Sequence, residues 1–164
     1  MVNNFLETLL TQWYVYQGYF VKNNVNFGKR SNGGYEGEID VLAYDPINKK
    51  LVHIETSNDS KTWEKRVDII NKKFNAASFH YSSILPSVHF NSVDKIAIYS
   101  LNQSIDKKYL SNLDKNITVK SIPEVFKEIS ISLKDKSPRK EAVSETFPLL
   151  RAIQFTSNYG YGKS

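Results

Sequence analysis

Glu38, Asp40, Glu55 and Ser57 are the side chains in this sequence whose types and spacing best suit chemistry. The first two lie in GEIDVLAYD and the last two in LVHIETS, with DPINKK between them. Alternating apolar positions make both runs strands, and Pro46 sets the entry to the turn, so together they form a hairpin. If Asp45 faces Lys50 across the turn, Asp40 lies opposite Glu55 and Glu38 opposite Ser57, all four on one face. Opposed side chains sit about 4.5–5.5 Å apart at Cβ, and two carboxylates so placed repel. A divalent cation between them relieves the repulsion, and Mg²⁺ suits a few carboxylate oxygens completed by water. Such an ion polarises a phosphoryl oxygen and lowers the pKa of an attacking water. The alternative is a solvated hairpin face with scattered acids. Two features favour the metal: the acids interrupt otherwise apolar strands, and a basic helix follows at once. A one-residue slip in register would send Asp40 and Glu55 to opposite faces.

The basic helix carries Lys61, Lys65, Arg66, Lys72 and Lys73. These form either a stripe that tracks phosphates beside the metal or the wet face of an amphipathic helix, paired with Glu64 and Asp68. Arg66, one of only four arginines, is the best bidentate phosphate ligand nearby. His53 shares the face of Glu55 and is a third ligand, a base, or a structural hydrogen-bonded histidine. His80 and His89 match no zinc spacing. Ser57 and His53 lack a third orienting group and a GxSxG elbow. Gly33 and Gly34 precede a strand, so they serve a turn and not a phosphate loop.

These residues need a scaffold to hold them. A helical period over residues 4–22 predicts a first helix with Leu6, Leu9, Leu10, Trp13 and Phe20 in its stripe. A short strand over 25–30, the glycine-rich turn SNGGYEG and the hairpin follow. A second helix spans 62–81, opened by Asp59 or Ser60. DKIAIYS at 94–100 is a strand, 106–113 a short helix, and ITVKSI at 117–122 another strand. Pro123 then sits in the first turn of a last helix. The class is α/β, a mixed sheet with a central hairpin flanked by helices. Residues 1–133 form the core domain, 134–145 a charged linker, and 146–164 an apolar docking segment (FPLLRAIQF) with a mobile tail.

Composition bounds the rest. The chain has 164 residues and no cysteine, which excludes disulfide frameworks and thiolate chemistry. No run approaches membrane-spanning length and no signal peptide is evident, so no membrane partner and a cytoplasmic location are expected. The net charge of +5 suits nucleic acid, though many solvated surfaces look the same.

The pattern GEIDVLAYD, a turn, then LVHIETS resembles the core of the PD-(D/E)XK nucleases, the restriction-endonuclease-like fold. Their core runs helix, three strands, helix, strand, and the likeness covers roughly the first 100 residues. The resemblance implies that Asp40 and Glu55 bind Mg²⁺ (or Mn²⁺), with Glu7 the match to an acid that some members add from the first helix. Ser57 stands where the motif has its Lys, the group that orients the attacking water and stabilises negative charge. Lys61 and Lys65 are the nearest substitutes, and Lys73, two turns on, is the more remote one. Ile39 replaces the Pro of the signature.

The function expected is therefore metal-dependent hydrolysis of phosphodiester bonds in DNA. Asp40, Glu55, Ser57, Lys61 and Lys65 would act in catalysis, with Arg66, Lys72 and Lys73 on the nucleic acid; a homodimer stays open. The alternative, motivated by Ser57, is an inactive nucleic-acid-binding or protein-interaction module on the same fold.

Overall fold

The computed structural model describes residues 4–57, 61–99 and 111–160. In order they form α1 (Phe5–Tyr16), β1 (Phe20–Lys29), β2 (Tyr35–Asp45), β3 (Lys50–Ser57), α2 (Trp63–Ser78), the single turn α3 (Tyr81–Ile84), β4 (Ser92–Tyr99), β5 (Ile117–Ser121), α4 (Ile122–Leu133) and α5 (Pro148–Tyr159). The strands make one five-stranded sheet in sequence order. β1, β2 and β3 are antiparallel, whereas β3, β4 and β5 are parallel. A parallel pair needs a long crossover, and α2 provides it between β3 and β4. The α/β class, the central hairpin and the order helix, three strands, helix, strand are as expected.

Both faces of the sheet are covered. On one, Leu6, Leu9 and Leu10 of α1 pack with Val41, Val52, Ile54 and Ile98, and with Val125 and Ile129 of α4 and Leu150 and Ile153 of α5. On the other, α2 and α3 bring Ile70, Phe74, Ala77 and Tyr81 onto Leu42, Leu51, Ala97 and Tyr99. The middle strand β3 is buried from Leu51 to Glu55. That is the ordinary burial of a strand covered twice, but it carries His53 and Glu55 inside, where apolar residues are the rule.

Several boundaries differ from the sequence reading. The first helix stops at Tyr16 and not at 22, because Gly18 takes φ +91° and the Tyr19 N–H folds back onto the Tyr14 carbonyl. The chain then enters a ten-residue β1, pairing with β2 almost along its length, in place of a short strand at 25–30. The second helix ends at Ser78 and a separate turn follows. Residues 111–113 form a turn, and the rest of the helix expected over 106–113 lies outside the described residues, as do Asp59 and Ser60. Thr62 is the N-cap of α2. Pro123 does sit in the first turn of α4, behind a capping box of Ser121 and Glu124. FPLLRAIQF becomes the start of α5, and Val143 ahead of it is buried, its N–H taken by the Gln154 side chain at 3.0 Å.

Candidate active site

The hairpin has the expected register, pairing Val41 with Ile54 through to Asp45 with Lys50. Just beyond Val41 that ladder ends. Asp40 and Glu55 are therefore not a ladder pair, nor are Glu38 and Ser57, which corrects the simple extrapolation. Asp40 Oδ2 instead accepts the Thr56 N–H at 2.7 Å and the Thr56 hydroxyl at 3.0 Å. A carboxylate thus takes the place of a main-chain acceptor where the strands part. Toward β1 the pairing passes from Asn23–Val41 to Val25–Ile39, and Asn24 between them sits at φ +50°. Asp40 lies at a gap in both ladders, with its carboxylate tethered by one oxygen.

Glu55 is tethered from the other side. It is 1% exposed, and its Oε1 lies 2.8 Å from His53 Nε2. His53 is wholly buried, with Phe74 against its ring at 4.4 Å and the Tyr81 hydroxyl 2.7 Å from Nδ1. Burial, against the pull of Glu55, holds the imidazole below its ordinary pKa, and burial raises that of the Tyr81 phenol. A neutral imidazole beside a carboxylate must carry its proton on Nε2. Tyr81 therefore donates to Nδ1, and Nε2–H donates to Glu55. This is the structural, hydrogen-bonded histidine among the readings open from sequence.

Lys73, from the middle of α2, closes the site. Its ammonium is ion-paired to Glu55 Oε2 and lies 3.7 Å from Asp40 Oδ1. Burial lowers its pKa, but the charges of Glu55 and Asp40 outweigh that and hold it above the ordinary lysine value. So each acid has one oxygen fixed by the protein and the other turned to a shared cation. This corrects the ranking of substitutes for the missing motif Lys: the remote Lys73 reaches the acids. Lys65 is exposed and lines no part of the site, and Lys72 is exposed and paired with Asp68 at 2.8 Å. Arg66, Ile69, Ile70 and Lys73 line one pocket at helical spacing, a side of α2 that Lys72 does not share.

Beside Lys73 lies a pocket of about 220 Å³ lined by Glu55, Ser57, Lys61, Arg66 and Tyr99 among others. The Arg66 guanidinium stacks 5.0 Å from the Trp63 ring centre and 5.5 Å from that of Tyr99. Glu7 is buried at the start of α1, its N–H capped by the Asn4 side chain at 3.0 Å. Burial, then the charges of Asp40 and Glu38, raise its carboxyl above the ordinary value. Glu7 thus feels the Asp40 charge, but among the described residues it does not gather with Asp40 and Glu55 into the three-acid metal site that the resemblance implies. His80 pairs with Glu36 at 3.0 Å, apart from this cluster.

Among the described residues no three His, Cys, Asp or Glu side chains gather as a metal cage. Mg²⁺ does not need one: one or two carboxylates plus water and substrate phosphate suffice. Asp40 Oδ1 and Glu55 Oε2 already converge on a cation, and as hard oxygen donors they fit such an ion. Sequence reasoning missed Thr56, Tyr81 and Asn24. The signal for Asn24 was present in the run KNNVN, since Asn tolerates the left-handed region.

No protein-family model matches the chain, and no curated protein matches it. Among solved structures the chain is similar to the crystal structure of a protein of unknown function, AF1548, with a TM-score of 0.52 and 14% identity over 95% of this chain and 98% of that one. At that identity the likeness shows the α/β fold.

Proposed function

We propose that the protein is a divalent-metal-dependent nuclease acting on DNA. The observation that carries this reading is the pair Asp40 and Glu55, each anchored through one oxygen and directing the other to the same ammonium. In the reaction, water adds to phosphorus and one P–O ester bond breaks. Asp40 Oδ1 and Glu55 Oε2 would hold Mg²⁺ or Mn²⁺, which supplies Lewis-acid polarisation of the phosphoryl oxygen and of water. Lys73, kept charged by its two acids, stabilises the negative charge that grows on phosphate, and does not act as a base. Arg66 and Lys61, lining the adjacent pocket, offer positive charge to the backbone. Glu7, whose carboxyl feels the Asp40 charge, would act on the site through that charge and not as a ligand.

A second reading has its own observation. Lys73 already neutralises the acid pair, and Ser57 occupies the motif position, so the same geometry would also suit an inactive binding module. Supercoiled plasmid and single-stranded DNA, incubated with Mg²⁺, Mn²⁺ or EDTA, separate the two. The nuclease reading expects metal-dependent cutting that Asp40→Asn abolishes. DNA binding indifferent to EDTA, with no product, supports the module, and undiminished cutting by Asp40→Asn contradicts the site.

A further inference from the structure

We propose that the buried pair His53 and Tyr81 sets the metal selectivity of the site by favouring single-oxygen binding by Glu55. This rests on the reading of Asp40 and Glu55 as a cation-binding pair. Ca²⁺ takes six to eight oxygens and often both oxygens of one carboxylate, whereas Mg²⁺ is smaller, demands a near-ideal octahedron and keeps several waters. The His53 Nε2–H, 2.8 Å from Oε1, takes one lone pair of that oxygen and holds the carboxylate with Oε2 toward Lys73, which disfavours two-oxygen binding by Glu55. The imidazole has no room to withdraw, since it is wholly buried between Phe74 and Tyr81. Its orientation is fixed from behind by the Tyr81 hydroxyl, which is itself buried and reaches Nδ1 at 2.7 Å. Asp40 is restricted in the same way by Thr56. Both acids are thus presented as single-oxygen ligands, the geometry that favours the smaller octahedral ion.

His53 and Tyr81 are positioning residues, and partners of this kind typically change metal affinity about 10–100-fold. The test is calorimetric titration of the full chain with Mn²⁺ (as the octahedral probe) and with Ca²⁺, for wild type, His53→Leu, Tyr81→Phe and Asp40→Asn. Circular dichroism checks the fold of each. His53→Leu frees Oε1, so Mn²⁺ affinity falls roughly tenfold while that for Ca²⁺ is kept or rises. Tyr81→Phe, nearly isosteric, shifts the Mn²⁺/Ca²⁺ ratio in the same direction by less. If His53→Leu does not fold, Tyr81→Phe decides alone. An unchanged ratio, with Mn²⁺ binding still lost in Asp40→Asn, overturns the inference and leaves the cation pair standing. Absence of Mn²⁺ binding in wild type, or binding indifferent to Asp40→Asn, overturns the cation pair and the inference with it.

Discussion

Lys73 carries the electrostatics of the site from a position 18 residues beyond Glu55. Removing it leaves a buried carboxylate facing a second one. Breaking a fully buried pair costs about 3–5 kcal/mol, but the Lys73 side chain is 39% exposed and solvent screens part of that. Lys73→Met should therefore lower stability by about 1–3 kcal/mol in urea unfolding, and adding Asp40→Asn should recover part of the loss. Glu7 behaves in the opposite sense. Burial and the Asp40 charge raise its carboxyl above 4.5, so the folded chain binds that proton more tightly than the unfolded chain. Its stabilising contribution is full below the ordinary value and lost as pH rises through the raised one. Glu7→Gln should then melt higher than wild type at neutral pH, with the difference vanishing toward about pH 4. A melting temperature difference independent of pH would contradict this. At this scale the two acids were legible, because strand parity and a short motif identify them. Lys73 was not: the apolar stripe Val67, Ile70, Phe74 and Ala77 gives the side of α2 that meets the sheet, but not which turn of the helix falls beside the acids.

The elements place these residues by parting at one point. The hairpin register was legible from a single pair, Asp45 with Lys50, since a turn of fixed length determines every partner after it. The end of the ladder was not legible, because it depends on the Asp40 carboxylate displacing a main-chain acceptor for Thr56. Thr56→Val removes the hydroxyl bond but keeps the N–H bond and the β-branched shape. Its expected cost is about 1 kcal/mol, measurable by urea unfolding, with weaker Mn²⁺ binding as Asp40 gains freedom. The end of α1 was misread for a related reason. Apolar residues continue at helical spacing to Phe20, yet Gly18 turns the chain and leaves Phe20 69% exposed at the head of β1.

On the scale of the whole molecule, the site lies where α1 and α2, from opposite faces of the sheet, both reach the parting strands. α1 brings Glu7 and α2 brings Lys73, and each helix is held by its own apolar cluster. The α/β class and the element order from α1 to β4 were legible in the hydrophobic periods. The role of α5 was legible only as apolar content in FPLLRAIQF; its helix buries Leu150 completely in the cluster that also holds Leu6, Leu9 and Leu10. Leu150→Ala should cost about 2–5 kcal/mol by urea unfolding, while leaving metal-dependent cleavage intact well below the melting temperature. The net charge of +5 gives the chain a general attraction to a polyanion, without specifying where it binds.

The most direct measurement is metal-dependent DNA cleavage by wild type, Asp40→Asn, Lys73→Met and the double variant, each shown to be folded. If the acids and Lys73 act as one unit, each single change should lower the rate at least about 100-fold, and the double variant should lose little more. Lys73→Met cutting at the wild-type rate would contradict the account.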